Sequence, residues 1–158
     1  GTLPTELGMI TDLQYFSALN NRLSGTLPTE LRHLTALTSL SLGNNYLTGT
    51  IPKEFDTWIN LRLIALDDNL LTGTLPSTLG TWSALTLISI RSNSLTGTVP
   101  TEMGFLSSLQ YFDLYDNSMH GALPTELVQL FSLLELNIAN NGFIGTLPTE
   151  VGLMTGLQ

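Results

Sequence analysis

Apolar residues return along this chain with a fixed period of 24 residues. The first apolar positions define seven columns, and no column contains a polar side chain: they begin at Leu3, Leu7, Ile10, Leu13, Phe16, Ala18 and Leu23. Within one period, Leu37-x-x-Leu40-x-Leu42 alternates as a short strand with one buried face does. A fixed period of this length predicts a repeat array in which each unit packs on its two neighbours.

Each repeat contains signals for three further elements. A turn, Gly43-Asn44-Asn45, follows the first strand, and residues 47–51 alternate again, which predicts a second, shorter strand with Gly49 at a bend or close approach. Pro52 blocks that strand and suits the first turn of a short helix, α or 3₁₀, over residues 52–61. Stacking the units aligns the first strands in parallel, about 4.8 Å apart. Six such strands are predicted, centred on Phe16, Leu40, Ile64, Ile88, Phe112 and Leu136.

Polar and aromatic residues that recur at one position are predicted to be structural. Asparagine occupies one column in every unit, and its amide can both donate to and accept from the backbone of neighbouring turns, which predicts a buried ladder. Trp58 and Trp82 lie in the column of Ile10 and are predicted to fill the core. The glutamate two residues after most prolines suits a helix N-terminus better than a metal or catalytic site.

We expect a single domain, residues 1–158, with six full repeats and part of a seventh. Both ends fall inside a repeat, so the expectation is a fragment of a longer array. Solenoids need polar caps over their last apolar faces. The apolar ends, residues 3–7 and 151–157, are therefore expected to fray, to self-associate or to be covered by parts of a longer chain.

Charge and composition exclude several classes of function. Thirteen acidic and five basic side chains give a net charge of −8, which argues against binding to nucleic acid or to an anionic membrane surface. There is no cysteine, hence no disulfide and no thiolate metal site. No apolar run approaches the ~20 residues that span a bilayer. No cofactor and no metal ion are predicted.

The phrase Leu37-x-x-Leu40-x-Leu42-x-x-Asn45-x-Leu47-x-Gly49-x-Ile51-Pro52 resembles the plant-type leucine-rich repeat, and its equivalents cover nearly all of the chain. Its GTLPTEL wording is similar to that of algal members. The resemblance implies an α/β fold, a right-handed solenoid of β-strands and 3₁₀ helices with a parallel concave sheet. It also implies an extracellular or cell-surface module that binds a protein, a peptide or a small ligand on that sheet. The cysteine-paired caps, glycosylation sites, membrane span and kinase of the family's receptors are missing from this sequence.

The candidate binding site lies where outward positions vary, because whatever recurs is scaffold. Variation is greatest in the third to fifth repeats. Tyrosine and arginine often dominate interface energy, and an acidic rim favours a basic partner. The predicted partner-binding residues are Tyr111, Tyr115, Asp113, Arg91, Asp67, Asp116 and Glu135.

Two alternatives compete with recognition. Hydroxyl columns that include Thr26, Thr50, Thr74 and Thr98 resemble the Thr-x-Thr ladders of ice-binding solenoids, which suggests an ice-binding or adhesive surface. Asp113 and Glu135, on adjacent strands, would resemble the carboxylate pair of a glycosidase. The chain has no cysteine nucleophile and no phosphate-binding loop, and the acidic pair suits a solvated face better. We therefore predict that this chain is not an enzyme.

Overall fold

The computed structural model describes residues 1–146 and 156, and its main feature is one six-stranded parallel sheet. Each strand pairs with its equivalent one repeat later, so that Tyr15 lies opposite Ser39 and Leu40 opposite Ile64. The predicted concave sheet and its six strand centres are confirmed. Its strands are β1 (Tyr15–Ser17), β3 (Ser39–Ser41), β5 (Leu63–Ala65), β7 (Leu87–Ser89), β9 (Tyr111–Asp113) and β11 (Glu135–Asn137).

The core lies behind this sheet and runs through all the described repeats. The central residue of each inner strand is buried while its two neighbours are partly exposed, as the alternation predicts. Trp58 and Trp82 are fully buried, and their indole nitrogens donate to the Leu31 and Phe55 carbonyls at 3.0 and 2.8 Å. The ring centroids of the two tryptophans are 6.0 Å apart. Their predicted role as core residues is confirmed.

The asparagine column forms the predicted ladder. Asn69 Oδ1 accepts from the Leu47 amide at 2.9 Å, while its Nδ2 donates to the carbonyls of Leu42 and Leu66 at 3.0 and 3.1 Å. Asn45 repeats this geometry one turn earlier and also donates to Leu42 O. One carbonyl thus receives donors from two successive asparagines, which joins adjacent repeats. In the described part of the chain, no buried side-chain polar atom lacks a hydrogen-bond partner.

A five-residue 3₁₀ helix follows each proline of the described residues. Pro52 was predicted to lie in the first turn of the helix, but it lies immediately before that turn, with extended backbone angles (φ −65°, ψ 132°). The helix, Lys53–Thr57, is also shorter than the predicted 52–61. An acidic side chain lies in the first turn of five of the helices, in agreement with the prediction for the glutamate column. The helices are Thr5–Met9, Thr29–His33, Lys53–Thr57, Ser77–Thr81, Thr101–Phe105 and Thr125–Gln129. The apolar end predicted at 151–157 and the last glutamate of the column, Glu150, lie outside the described residues, Gly156 excepted.

A second set of short parallel strands forms where residues 47–51 and their equivalents were predicted. The four-stranded sheet contains β2 (Ser24–Thr26), β4 (Tyr46–Gly49), β6 (Leu70–Gly73) and β8 (Ser94–Leu95), and β10 (His120–Gly121) pairs separately with β12 (Gly142–Phe143). The strand in the second repeat begins one residue earlier than predicted. It ends at Gly49, whose φ of +76° lies in the left-handed region.

The register of this second sheet corrects the expected threonine ladder. Thr26 lies opposite Thr48, and Thr48 lies opposite Leu70, so equivalent threonines such as Thr26 and Thr50 do not face each other. Equivalent threonines are staggered rather than paired across the strands, so the register gives the ice-binding alternative no support. Thr72 and Thr96, from the neighbouring column, also turn their hydroxyls to the carbonyls of Gly49 and Gly73, at 3.4 and 3.2 Å.

The threonine column instead packs on the glycine column. A Cβ atom at Gly49 would lie 2.8 Å from Thr26 Cγ2, and one at Gly73 would lie 2.6 Å from Thr50 Cγ2. Each threonine methyl therefore covers the glycine of the next repeat, where no side chain fits. This contact between repeats explains why threonine recurs without requiring a ligand.

Candidate functional site

The register of the concave sheet groups variable residues into one continuous surface. Leu63, Leu87, Tyr111 and Glu135 lie side by side on β5, β7, β9 and β11. The two leucines are partly exposed, and Tyr111 is 40% exposed. Residues that vary between repeats therefore form one row across the sheet, with two leucines at one end, a tyrosine next to them and a carboxylate at the other end.

Tyr115 and Asp113 lie beside this row and are held by local hydrogen bonds. Asp113 Oδ1 accepts from the Tyr115 amide at 3.0 Å, an Asx-type turn at the end of β9. The Tyr115 hydroxyl accepts from Asn140 Nδ2 at 2.9 Å, which fixes the phenol against the next repeat. Both residues remain partly exposed, so they are accessible to a partner.

Asp116 has a structural reason for its identity that the sequence analysis missed. Its φ is +56°, and the whole column shares this left-handed conformation. Asparagine and aspartate tolerate that region far better than other residues with a side chain. The signal was present in the sequence, since the column is composed mostly of these two residue types: Asn20, Asn44, Asp68, Ser92, Asp116 and Asn140.

Arg91 and Asp67 lie one and two repeats earlier than Tyr115, at the edge of the surface. Arg91 is paired with Asp68 at 4.0 Å, with both side chains about half exposed, so the pair adds little stability. It is the one ion pair within the described part of the chain. Asp67 packs over Gly43, whose Cβ, if present, would lie 2.9 Å from Asp67 Oδ1.

The two carboxylates considered as a catalytic pair do not lie opposite each other. Glu135 faces Tyr111, whereas Asp113 faces Asn137 and Ser89. In residues 1–146 and 156, no cluster of three or more histidine and acidic side chains is suited to holding a metal ion.

Charge is distributed unevenly along the solenoid, which the sequence analysis also missed. Arg91 is the last lysine or arginine of the chain, and His120 is the one histidine that follows it. The acidic residues after Arg91 are Glu102, Asp113, Asp116, Glu126, Glu135 and Glu150. Consequently, the tyrosine end of the concave row lies in the more acidic half of the molecule.

Comparison with family models matches the leucine-rich repeat at residues 36–58, 59–119 and 132–154, which together are more than half of the chain. No curated protein sequence matches. No helix in the described part of the chain has the length and apolar character needed to cross a membrane.

Solved structures of plant receptors superpose on nearly the whole chain. A plant peptide hormone receptor, RGFR1 in complex with RGF2, is 33% identical with a TM-score of 0.98, over 99% of this chain and 25% of the receptor. The Arabidopsis receptor kinase HAESA, in complex with the peptide hormone IDA and the co-receptor SERK1, is 34% identical with a TM-score of 0.97, over 99% of this chain and 26% of that one.

A third match is the ectodomain of the Arabidopsis thaliana membrane receptor kinase GASSHO1/SCHENGEN3 in complex with CASPARIAN STRIP INTEGRITY FACTOR 2. It is 30% identical with a TM-score of 0.90, over 99% of this chain and 22% of that chain. This chain therefore spans about a quarter of the length of the receptors that it matches.

Proposed function

This chain belongs to the plant-type leucine-rich repeat family, and from that premise we propose that it is a ligand-recognition module whose concave sheet binds a protein or peptide. The observation that carries the proposal is the surface on β5 to β11, where residues that vary between repeats lie together on an otherwise uniform scaffold. The matched receptors support the proposal, because two of them are complexes with peptide hormones. These receptors are much longer than this chain, so the domains that they contain beyond the matched segment are not assigned to this protein.

The contacts are proposed to centre on the tyrosine–acid patch, which we define as Tyr111, Tyr115, Asp113, Asp116 and Glu135. Tyrosine combines a large contact area with a polar group at low conformational cost, which is why it often dominates interfaces. Leu63 and Leu87 extend the patch with partly exposed apolar surface. Arg91 and Asp67 form its edge.

The partner is proposed to be basic. Three carboxylates in the patch, with no lysine or arginine after Arg91 to offset them, create a negative potential at this end of the sheet. Such a potential accelerates the association of a partner that carries lysine, arginine or a free amine, and added salt weakens the effect. The ectodomain match supports an extracellular or cell-surface location.

Selection of ligands from a displayed random-peptide library tests this proposal. We expect peptides rich in lysine, arginine and apolar residues, with affinities that fall as salt is added. The double variant Tyr111→Ala/Tyr115→Ala should lose about 2 kcal/mol per tyrosine, or roughly thirtyfold in Kd for each. The matched control is Tyr46→Ala, because Tyr46 is an exposed tyrosine on the second sheet.

Circular dichroism of each variant checks that its fold is retained. Tyr115→Phe provides a further control, since it removes only the hydroxyl that accepts from Asn140. If selected peptides bind the double variant as tightly as the parent, or lose affinity only with Tyr46→Ala, the site on the concave sheet is wrong.

A further inference from the structure

One asparagine of the ladder differs from the others in the residue that follows it in the sequence. Asn141 is followed by Gly142, whereas the other ladder asparagines are followed by residues with side chains. In an Asn-Gly pair, the glycine amide nitrogen attacks the asparagine side-chain carbonyl carbon with the least steric obstruction, because glycine has no Cβ and the freest backbone. This is the sequence most prone to spontaneous deamidation.

In the folded structure, hydrogen bonds hold the Asn141 side chain away from the Gly142 amide. Asn141 Nδ2 donates to the carbonyls of Leu114, Ile138 and Ala139 at 2.9, 3.2 and 3.2 Å. Its Oδ1 accepts from the Met119 amide at 3.0 Å.

The nucleophile is occupied as well. The Gly142 amide donates to the Met119 carbonyl at 2.6 Å, in the pairing of β10 with β12. Attack requires the side chain to rotate and this amide to turn towards Cγ, so the hydrogen bonds to the fifth repeat must first break.

We propose that Asn141–Gly142 is a modification site that the fold keeps closed and that opening of the sixth repeat exposes. When Gly142 N bonds to Asn141 Cγ, the Cγ–Nδ2 bond breaks and the side-chain nitrogen leaves as ammonia, with the proton from the glycine amide. Water then adds to either carbonyl of the cyclic imide, which yields aspartate or isoaspartate. One water is consumed and one ammonia is released, with no oxidation or reduction.

The product cannot restore the ladder. A carboxylate at position 141 has no hydrogen to donate, and it would face the three carbonyl oxygens that now accept from the amide. Leu114 O keeps the donor from Asn117 and Ala139 O keeps the Asp116 amide, but Ile138 O loses its donor. Isoaspartate also lengthens the backbone by one carbon where β12 begins. The modified repeat therefore stays open, and a transient opening becomes a permanent change in the chain.

Mass spectrometry tests the proposal on the 158-residue chain, incubated at neutral pH with and without denaturing urea. Cleavage after glutamate releases residues 136–150, which contain Asn141, and fragmentation assigns the converted asparagine. Asn117, in the same ladder but followed by Ser118, is the internal control. In urea we expect Asn141 to convert faster than Asn117, and Gly142→Ala to slow it. In the folded chain conversion should be at least about tenfold slower, since only the open fraction reacts.

Equal rates in the folded and unfolded chains would overturn the protection by the ladder. An Asn117 that converts as fast as Asn141, or a Gly142→Ala variant that does not slow conversion, would overturn the assignment of the site. The variant Asn141→Asp provides a second measurement: the amides of Met119 and Gly142 should exchange hydrogen faster than in the parent, and unchanged exchange would refute the lasting opening.

Discussion

The substitution Asn69→Ala tests the energetic basis of the repeat stack. Asn69 is 6% exposed and connects the second and third turns through its amide. Removing the amide leaves the Leu47 N–H without an acceptor inside a fully buried residue. The carbonyls of Leu42 and Leu66 keep the donors from Asn45 and Asn93, so the damage concentrates on one amide.

A buried donor without a partner costs about 1–3 kcal/mol, and the bonds that Nδ2 gives up add to this cost. We therefore expect Asn69→Ala to lower the free energy of unfolding by about 2–3 kcal/mol. In a chain of this size that corresponds to a fall in Tm of roughly 5–10 °C. Asn69→Asp should be worse, because it keeps the acceptor for Leu47 but directs a carboxylate at carbonyl oxygens.

Equilibrium urea unfolding, followed by circular dichroism, measures the difference. The matched control is Asn60→Ala: Asn60 is exposed and its amide donates to the Thr35 carbonyl at 3.0 Å, so its loss should cost less than about 1 kcal/mol. If Asn69→Ala unfolds at the same urea concentration as Asn60→Ala, the ladder does not stabilise the fold and the reasoning fails.

Two further substitutions test the backbone geometry. Ser92 has φ +50° in a column of asparagine and aspartate, so Ser92→Asn should stabilise the chain by about 0.5–1 kcal/mol in the same urea assay; a loss of stability would refute this reading of the column. Gly73→Ala should lower the free energy of unfolding by about 2 kcal/mol or more, because alanine disfavours the positive φ there and its Cβ would lie 2.6 Å from the Thr50 methyl carbon. Gly145→Ala should cost less, since the nearest atom there is Ala122 Cβ at 3.8 Å; equal costs would show that the methyl contact contributes nothing.

Much of this fold could be predicted from the sequence, because inward and outward positions differ so sharply in polarity. Apolar alternation was sufficient to locate the strand centred on Leu40 and its equivalents, and periodicity alone identified Trp58 as core. The register of the second sheet could not be predicted this way. A repeat shows which residues are equivalent, but not that Thr26 lies opposite Thr48, since the stagger between neighbouring strands is set by backbone hydrogen bonds and not by the repeat period.

The candidate site was predicted less completely than the fold. Outward variation identified Tyr111 and Glu135, and the register brings them together. Sequence variation alone could not distinguish residues that contact a ligand from residues that stabilise the local backbone. Asp116 suits a left-handed turn, and Asp113 accepts a hydrogen bond from a turn amide. Such roles depend on dihedral angles and hydrogen bonds that a column of residue types indicates only in part.

Photo-crosslinking tests the central claim, recognition on the concave sheet, most directly. A benzophenone side chain is placed at Tyr111 in one variant and at Tyr46 in another, and each is irradiated with a basic peptide selected on the parent chain. These positions lie on different sheets and are both exposed. We expect crosslinks from position 111 and none above background from position 46. Crosslinks from position 46 alone, or equal yields from both, would contradict recognition on the concave sheet.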